Sequence, residues 1–147
     1  MGSTHEYVWE LPYARVIFSV SAASDMGLVR RVNEDSYLAV PPLFIVADGM
    51  GGHAFGDRAS QETARVLGSL LPSDQPSTAR HVLDAVAGAN RAVQAISDDD
   101  FAGTTLTGIA LVQDESGASC TWMAFNVGDS RVYTWNGSIL SQVSVDH

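Results

Sequence analysis

The order of β-rich and helical segments constrains the fold of this chain most strongly, because two consecutive helical segments separate two groups of strands. Strand patterns occur at 15–22, 35–40, 43–47, 104–113, 119–127 and 131–135. Pro41-Pro42 marks a turn, since proline cannot donate a ladder hydrogen bond, and Asn136-Gly137 is a strong hairpin signal. This order predicts an α+β fold in which helices lie on a mainly antiparallel sheet system.

The segment between 48 and 97 is expected to hold a glycine loop and then the two helices. Residues 48–56 are predicted to form the loop, and Asp57 is a plausible N-cap for the first helix, which Pro72 ends. The second helix is expected to start near Ser77 and to close before the acidic run 98–100, because one apolar stripe recurs at helical spacing. Residues 1–14 are expected to form a leader outside a domain at 15–147.

Charge and composition exclude several classes of function. The 147 residues carry a formal net charge of −9, and all eight basic residues are arginine, so no basic stripe is available for nucleic acid. No apolar run approaches the roughly 20 residues of a membrane helix. No secretory signal is visible, and a cytoplasmic location is therefore expected. Cys120 is the only cysteine, which excludes an internal disulfide and a zinc–thiolate cluster.

Carboxylates stand at the ends of three predicted strands. Asp35 enters one strand, Asp48 ends the apolar run 43–47, and Asp129 follows the strand that ends at Val127. Each segment alone fits an ordinary turn or a surface salt bridge. Burial of a lone carboxylate is costly, however, and calls for a cation or several hydrogen-bond donors. A sheet system could bring the three acids together around Mg²⁺ or Mn²⁺, which prefer such ligands.

Other ligand chemistries fit the sequence less well. A phosphate-cradling nucleotide loop needs G-x-x-x-x-G-K-[ST], and the chain contains no lysine. Zinc binding by His53 or His81 lacks support, because His53 has no histidine partner four residues later. The acidic run 98–100 lacks the spacing of a calcium loop, which weakens the interpretation as an unrelated calcium-binding β-sandwich.

Five segments, in order, resemble bacterial metal-dependent protein phosphatases of the type 2C (PPM) family. They are SDMGLVRRVNEDS, FIVADGMGGHAFGDRAS, FAGTTLTGIAL, FNVGDSRVY and SVDH. The resemblance covers about 16–147. It implies a four-layer αββα architecture, in which an antiparallel β-sandwich is flanked by helices. It also implies that the fold is incomplete at the C-terminus, because the family continues beyond SVDH to further metal-binding aspartates.

The resemblance assigns a role to each candidate site residue. The implied metal ligands are Glu34, Asp35, Asp48, Gly49 and Asp129. Asp48 would bridge two Mn²⁺ or Mg²⁺ ions, the carbonyl of Gly49 would ligate one of them, and Asp129 would help to hold an additional, weaker metal. Arg30 would hold the substrate phosphate, a planar bidentate task that suits guanidinium.

The implied reaction is hydrolysis of phosphoserine and phosphothreonine on proteins by a metal-activated water, in a pathway with a cognate Ser/Thr kinase. Met50 stands where eukaryotic relatives carry a proton-donating histidine, so water or His53 would have to act as the acid. The alternative is a catalytically impaired binding or signalling module on the same fold. Exposed strand edges would in either case favour association with another chain.

Overall fold

The structure is a computed structural model that describes residues 4–51, 55–96 and 102–146. The strands are β1 (Thr4–Glu10), β2 (Arg15–Ser21), β3 (Asp35–Val40), β4 (Leu43–Met50), β5 (Gly103–Thr104), β6 (Leu106–Gln113), β7 (Cys120–Val127), β8 (Tyr133–Trp135) and β9 (Leu140–Gln142). The helices are α1 (Phe55–Leu70) and α2 (Ala79–Ile96). All pairs among these strands are antiparallel, which confirms the predicted α+β class.

The central sheet has the strand order β3-β4-β6-β7, and β5 adds to the end of β4. The hairpins β1-β2 and β8-β9 form two further sheets. The prediction of a glycine loop from Asp48 is wrong for its first residues, because β4 continues to Met50. Gly49 and Met50 pair there with Thr104 and Gly103 of β5. His53 lies outside the described residues.

Both helices pack on one face of the central sheet. In β4 the alternate residues Leu43, Ile45 and Ala47 are buried at 1%, 3% and 0% exposure, and the first two join the core beneath α1 and α2. Leu67 of α1 and Val82 of α2 are fully buried in the same core. Removal of this apolar surface from water is the main force that holds the helices on the sheet.

The helix ends follow local rules, with one difference from the prediction. Helix α2 is capped by Thr78, whose Oγ1 accepts a hydrogen bond from the His81 amide at 3.1 Å. Helix α1 ends at Leu70, before Pro72, as expected. It begins at Phe55, so Asp57 lies in its first turn and is not the N-cap. Neither described helix is long and apolar enough to cross a membrane.

The β1-β2 hairpin packs on the opposite face of the central sheet through aromatic residues. Trp9 and Phe18 are buried together with Leu111 of β6, and the Trp9 and Phe18 rings meet edge to face at 5.0 Å. Phe18 also contacts Trp122 of β7, with ring centroids 6.1 Å apart. Residues 4–10 are predicted to lie in a leader outside the domain, but in the structure they form a strand that contributes Trp9 to the core.

The layers run from the helices to the central sheet and then to the β1-β2 hairpin. This arrangement confirms the predicted antiparallel sandwich with helices on an outer face. It supplies three of the four expected layers within the part of the chain that the structure describes. The outer face of the hairpin exposes Val8 and Ile17, at 43% and 57%. The candidate site lies at one end of the sandwich, where β3 begins and β4 ends.

Candidate metal and phosphate site

Asp35 and Asp48 stand directly opposite each other in the β3–β4 ladder. Directly opposite residues of an antiparallel pair project from the same face, with Cβ atoms about 4.5–5.5 Å apart. The pKa of Asp48 is raised by partial burial, by the charge and hydrogen bond of Asp35 and by the charge of Asp129, while Arg30 lowers it. Carboxylates so close together repel each other, and a divalent cation between them would remove that cost.

The main chain on both sides of Asp48 is held by hydrogen bonds from other elements. The Asp48 amide donates to Thr105 Oγ1 at 3.1 Å, and the Thr105 amide donates to the Asp48 carbonyl at 2.9 Å. The Gly49 amide donates to the Glu34 carbonyl at 3.1 Å. The candidate ligands at the end of β4 are therefore fixed both to the start of β3 and to the segment that precedes β6.

Gly49 and Gly56 allow the first turn of α1 to lie against the end of β4. A Cβ atom on Gly49 would lie 2.1 Å from the Gly56 carbonyl oxygen and 2.7 Å from the Glu34 carbonyl oxygen. A Cβ atom on Gly56 would lie 3.0 Å from the Met50 nitrogen. The absence of a Cβ atom at Gly49 permits this close approach of two backbone segments. The space beside Gly49 is therefore filled by the chain's own backbone.

Glu34 is held between Arg30 and α1. Its side chain is only 12% exposed, and Arg30 Nη1 lies 3.6 Å from its Oε2. Its carbonyl also accepts a hydrogen bond of 2.6 Å from Ser60 Oγ, and Ser60 is fully buried on α1. The Arg30 side chain is 76% exposed, so most of its donors remain available for a ligand.

A cavity of about 970 Å³ opens at this end of the sandwich. It is lined by Val29, Arg30, Arg31, Val32, Glu34, Asp48, Gly49, Met50, Gly51, Thr105, Gly128 and Asp129. Its volume suits a small ligand or a phosphorylated side chain. The structure therefore brings five of the six sequence-predicted site residues to one cavity, and it places the sixth, Asp35, opposite Asp48.

The donor chemistry fits a hard divalent cation, although the ligand set is not closed. Two opposed carboxylates, a third acid nearby and a terminal-strand carbonyl match the oxygen ligands that Mg²⁺ and Mn²⁺ prefer. Within residues 4–51, 55–96 and 102–146, no three His, Cys, Asp or Glu side chains converge closely enough to form a complete cage. Mg²⁺ commonly keeps several waters and takes only one or two protein carboxylates, so this partial set remains compatible with binding.

Sequence reasoning missed the hydroxyl residues that support the acids. Thr105 Oγ1 shares a hydrogen bond of 2.8 Å with Ser130 Oγ, next to Asp129, and Ser60 supports Glu34. The only available signal was their position beside the acidic segments, since a hydroxyl residue alone has no characteristic spacing. Long-range contacts such as Thr105 with Ser130 become visible only in the folded chain.

The last two resembling segments are joined by an ion pair. Arg131 Nε lies 3.0 Å from both carboxylate oxygens of Asp146, which raises the pKa of the Arg131 guanidinium. Asn126 Nδ2 also donates to the Val145 carbonyl at 3.0 Å. The Arg131–Asp146 ion pair and the Asn126–Val145 hydrogen bond hold the segment that follows β9 next to the turn that carries Asp129 and Ser130. His147 lies outside the described residues.

The sandwich with its acidic cavity agrees with what the resemblance to metal-dependent protein phosphatases implies. Comparison with known proteins identifies the family. The serine/threonine protein phosphatase PstP of Mycobacterium tuberculosis is 35% identical over 136 residues, which are 89% of this chain and 25% of PstP. The serine/threonine phosphatase Stp of Listeria monocytogenes is 31% identical over 140 residues, covering 84% of this chain and 52% of Stp. The chain belongs to the bacterial PPM phosphatase family.

Solved structures show the same relationship. The catalytic domain of PstP in complex with two manganese ions superimposes with a TM-score of 0.69 at 36% identity, over 84% of this chain and 54% of that one. No family model matches the chain. The chain spans about a quarter of the length of PstP and about half of the length of Stp.

Proposed function

We propose that residues 15–147, together with strand β1, form the N-terminal part of the catalytic domain of a protein serine/threonine phosphatase. The substrates are phosphoserine and phosphothreonine on proteins, as expected for an enzyme that acts in one pathway with a cognate Ser/Thr kinase. The observation that carries the proposal is the placement of Asp35 directly opposite Asp48 beside a cavity that Arg30 lines. Relatives named serine/threonine phosphatases, at 31–35% identity, support it.

The acids hold the divalent cations on which the reaction depends. Asp48 and Asp35 supply the opposed carboxylates, and Glu34, Asp129 and the Gly49 carbonyl supply further oxygen ligands. Bound Mn²⁺ or Mg²⁺ supplies positive charge that lowers the pKa of water and offsets charge on the phosphoryl oxygens. The manganese in the structure of the PstP catalytic domain supports this choice of cation.

Arg30 binds the phosphate of the substrate. Its guanidinium presents five donors in a planar fork that matches two phosphate oxygens. The 3.6 Å contact with Glu34 orients the side chain toward the cavity, and its exposure leaves the fork accessible to a phosphorylated side chain. The same contact places the positive charge beside the acids, so a bound phosphate lies next to the cation ligands.

Met50 lines the cavity at 57% exposure and cannot donate a proton to the departing serine or threonine oxygen. Of the two acids that remain, water and His53, we assign the role to solvent water, which reaches the exposed side chain of Met50. Turnover should then lack the descending limb that titration of an essential histidine would produce.

A second candidate function is binding of phosphoproteins without hydrolysis. The observation in its favour is that no closed cage of three metal-ligating side chains forms among the described residues. We propose that the chain alone hydrolyses its substrates slowly or not at all, and that further carboxylates from the remainder of a PPM domain complete the site. Phosphopeptide binding without turnover, even in a completed domain, would favour this second function.

The test compares Mn²⁺-dependent hydrolysis of p-nitrophenyl phosphate and a phosphothreonine peptide by two proteins. One is this chain, and the other is this chain joined to the part of Stp that lies beyond the matched region. We expect activity in the joined form, and we expect Asp48→Asn to lower it at least about 100-fold, since loss of roughly 3 kcal/mol of transition-state stabilisation has that effect.

Asp84→Asn is the matched control, because Asp84 lies on the exposed side of α2 and pairs only loosely with Arg80, at 3.8 Å. It removes the same charge outside the cavity and should leave hydrolysis unchanged. Undiminished hydrolysis by Asp48→Asn would contradict the assignment of the site.

A further inference from the structure

Thr105 makes two backbone-directed contacts with a single acid. It lies between β5 and β6 and is only 6% exposed. Its amide donates to the Asp48 carbonyl at 2.9 Å, while its Oγ1 accepts from the Asp48 amide at 3.1 Å. The Asp48 backbone is therefore hydrogen-bonded to both the main chain and the side chain of Thr105.

The same side chain contacts the segment that carries Asp129. Thr105 Oγ1 shares a hydrogen bond of 2.8 Å with Ser130 Oγ, and one hydroxyl can serve both this bond and the one from Asp48. Gly128 has a φ of +100°, and a Cβ atom there would lie 2.9 Å from Thr105 Cγ2. The hydroxyl and the methyl group of Thr105 thus both touch the 128–130 turn.

We propose that Thr105 is a positioning residue whose hydroxyl fixes the Asp48 and Asp129 carboxylates relative to each other for cation binding. The two acids come from β4 and from the turn after β7, and Thr105 contacts both segments at once. The inference rests on the proposed function, because it takes Asp48 and Asp129 as cation ligands. Thr105 acts through these residues and is not itself assigned as a ligand.

Three variants distinguish the effect of the Thr105 hydroxyl from the effect of its methyl group and from the effect of replacing any buried threonine. Thr105→Val keeps the shape and removes the hydroxyl, whereas Thr105→Ser keeps the hydroxyl and removes the methyl group. Thr107→Val is the matched control. Thr107 is also 6% exposed, and its Oγ1 has no hydrogen-bond partner within the described part of the chain.

The first readout is independent of metal. Hydrogen exchange of the Asp48 amide should accelerate about fivefold to tenfold in Thr105→Val, because one hydrogen bond is lost. The Gly49 amide, which donates to Glu34, serves as an internal reference and should be unchanged. Thr105→Ser and Thr107→Val should retain wild-type protection at Asp48. Equal protection in Thr105→Val and wild type would overturn the proposed contact.

The second readout is Mn²⁺ affinity of the 147-residue chain, measured by water-proton relaxation. We expect Thr105→Val to weaken binding about 10- to 100-fold, as is typical for residues that orient metal ligands, while Thr105→Ser stays within about threefold. Faster exchange with unchanged Mn²⁺ affinity would show that Thr105 has only a structural role, and would overturn the proposal.

Ser130→Ala keeps the test decisive if Thr105→Val does not fold. It removes the other end of the hydroxyl contact and should weaken Mn²⁺ binding while leaving the Asp48 amide protected; unchanged affinity would again contradict the proposal. If wild type itself binds no Mn²⁺, the proposed function fails. Exchange at the Asp48 amide then still decides whether the Thr105 hydroxyl holds the end of β4.

Discussion

Replacement of Gly49 by alanine should unfold the site more severely than its small volume suggests. The added Cβ would lie 2.1 Å from the Gly56 carbonyl oxygen, 2.4 Å from its carbonyl carbon and 2.7 Å from the Glu34 carbonyl oxygen. All three are backbone atoms, so no side chain can rotate away. Cβ atoms rarely come closer than 3.0 Å to another heavy atom. The first turn of α1 must therefore move about 0.9 Å to bring the Gly56 carbonyl oxygen to that distance from the new Cβ atom.

The cost follows from this displacement. Overpacking in well-packed regions costs about 1–3 kcal/mol and occasionally more, and contact with backbone on two sides places Gly49→Ala at about 3 kcal/mol or above. For a chain of this size each kcal/mol corresponds to roughly 2–4 °C in melting temperature, so the expected decrease is at least about 6 °C. Thermal unfolding followed by circular dichroism and calorimetry measures it.

Two other glycines provide controls. Gly68→Ala on α1 would place its Cβ 3.4 Å from Leu38 Cδ2, a movable side-chain atom, and should raise stability by up to about 1 kcal/mol through helix propensity. Gly108→Ala would meet the Phe44 carbonyl oxygen at 2.4 Å and should destabilise the core away from the site. A melting temperature of Gly49→Ala within 1 °C of wild type would refute the packing argument.

Three further predictions concern single side chains. Folding raises the pKa of Asp48, so the folded chain favours the protonated carboxyl over the ionised one. The stability that this preference contributes is fully present below the unfolded pKa of 3.8 and is lost as pH rises through the folded pKa. Without metal, the stability of Asp48→Asn relative to wild type should therefore increase as pH rises above 3.8, measured by urea melts at each pH; a constant difference would contradict this. In the completed domain, Arg30→Ala should raise KM for a phosphothreonine peptide about 10-fold or more, and Arg58→Ala, outside the cavity, should not; an equal KM in both variants would remove Arg30 from the phosphate site. Trp9→Ala should cost about 3–5 kcal/mol in chemical denaturation, because Trp9 is buried against Phe18; a cost below about 1 kcal/mol would make β1 dispensable.

The pairing of the two central acids is a feature that the sequence alone could have predicted. The strands 35–40 and 43–47 were expected with Pro41-Pro42 as the turn between them. A two-residue turn pairs Val40 with Leu43, and counting outward then pairs Asp35 with Asp48, as the ladder shows. Local turn geometry is sufficient here, because the two strands are neighbours in both sequence and space.

Other features depended on contacts between distant segments. Residues 4–10 form β1 because Trp9 and Phe18 are buried together with Leu111, about a hundred residues away in sequence. The extension of β4 beyond Asp48 depends on pairing with β5, and the role of Gly49 depends on the position of Gly56. No period or spacing in the sequence reports such contacts before the layers assemble.

Direct titration of Mn²⁺ into the metal-free chain at pH 7 tests the central claim, that carboxylates from separate strands form one cation site. Wild type and Asp84→Asn should show the same saturable binding and the same rise in melting temperature. Asp35→Asn and Asp48→Asn should lose both responses, although Asp48→Asn is the more stable protein without metal. Wild-type Mn²⁺ affinity in Asp48→Asn would contradict the account.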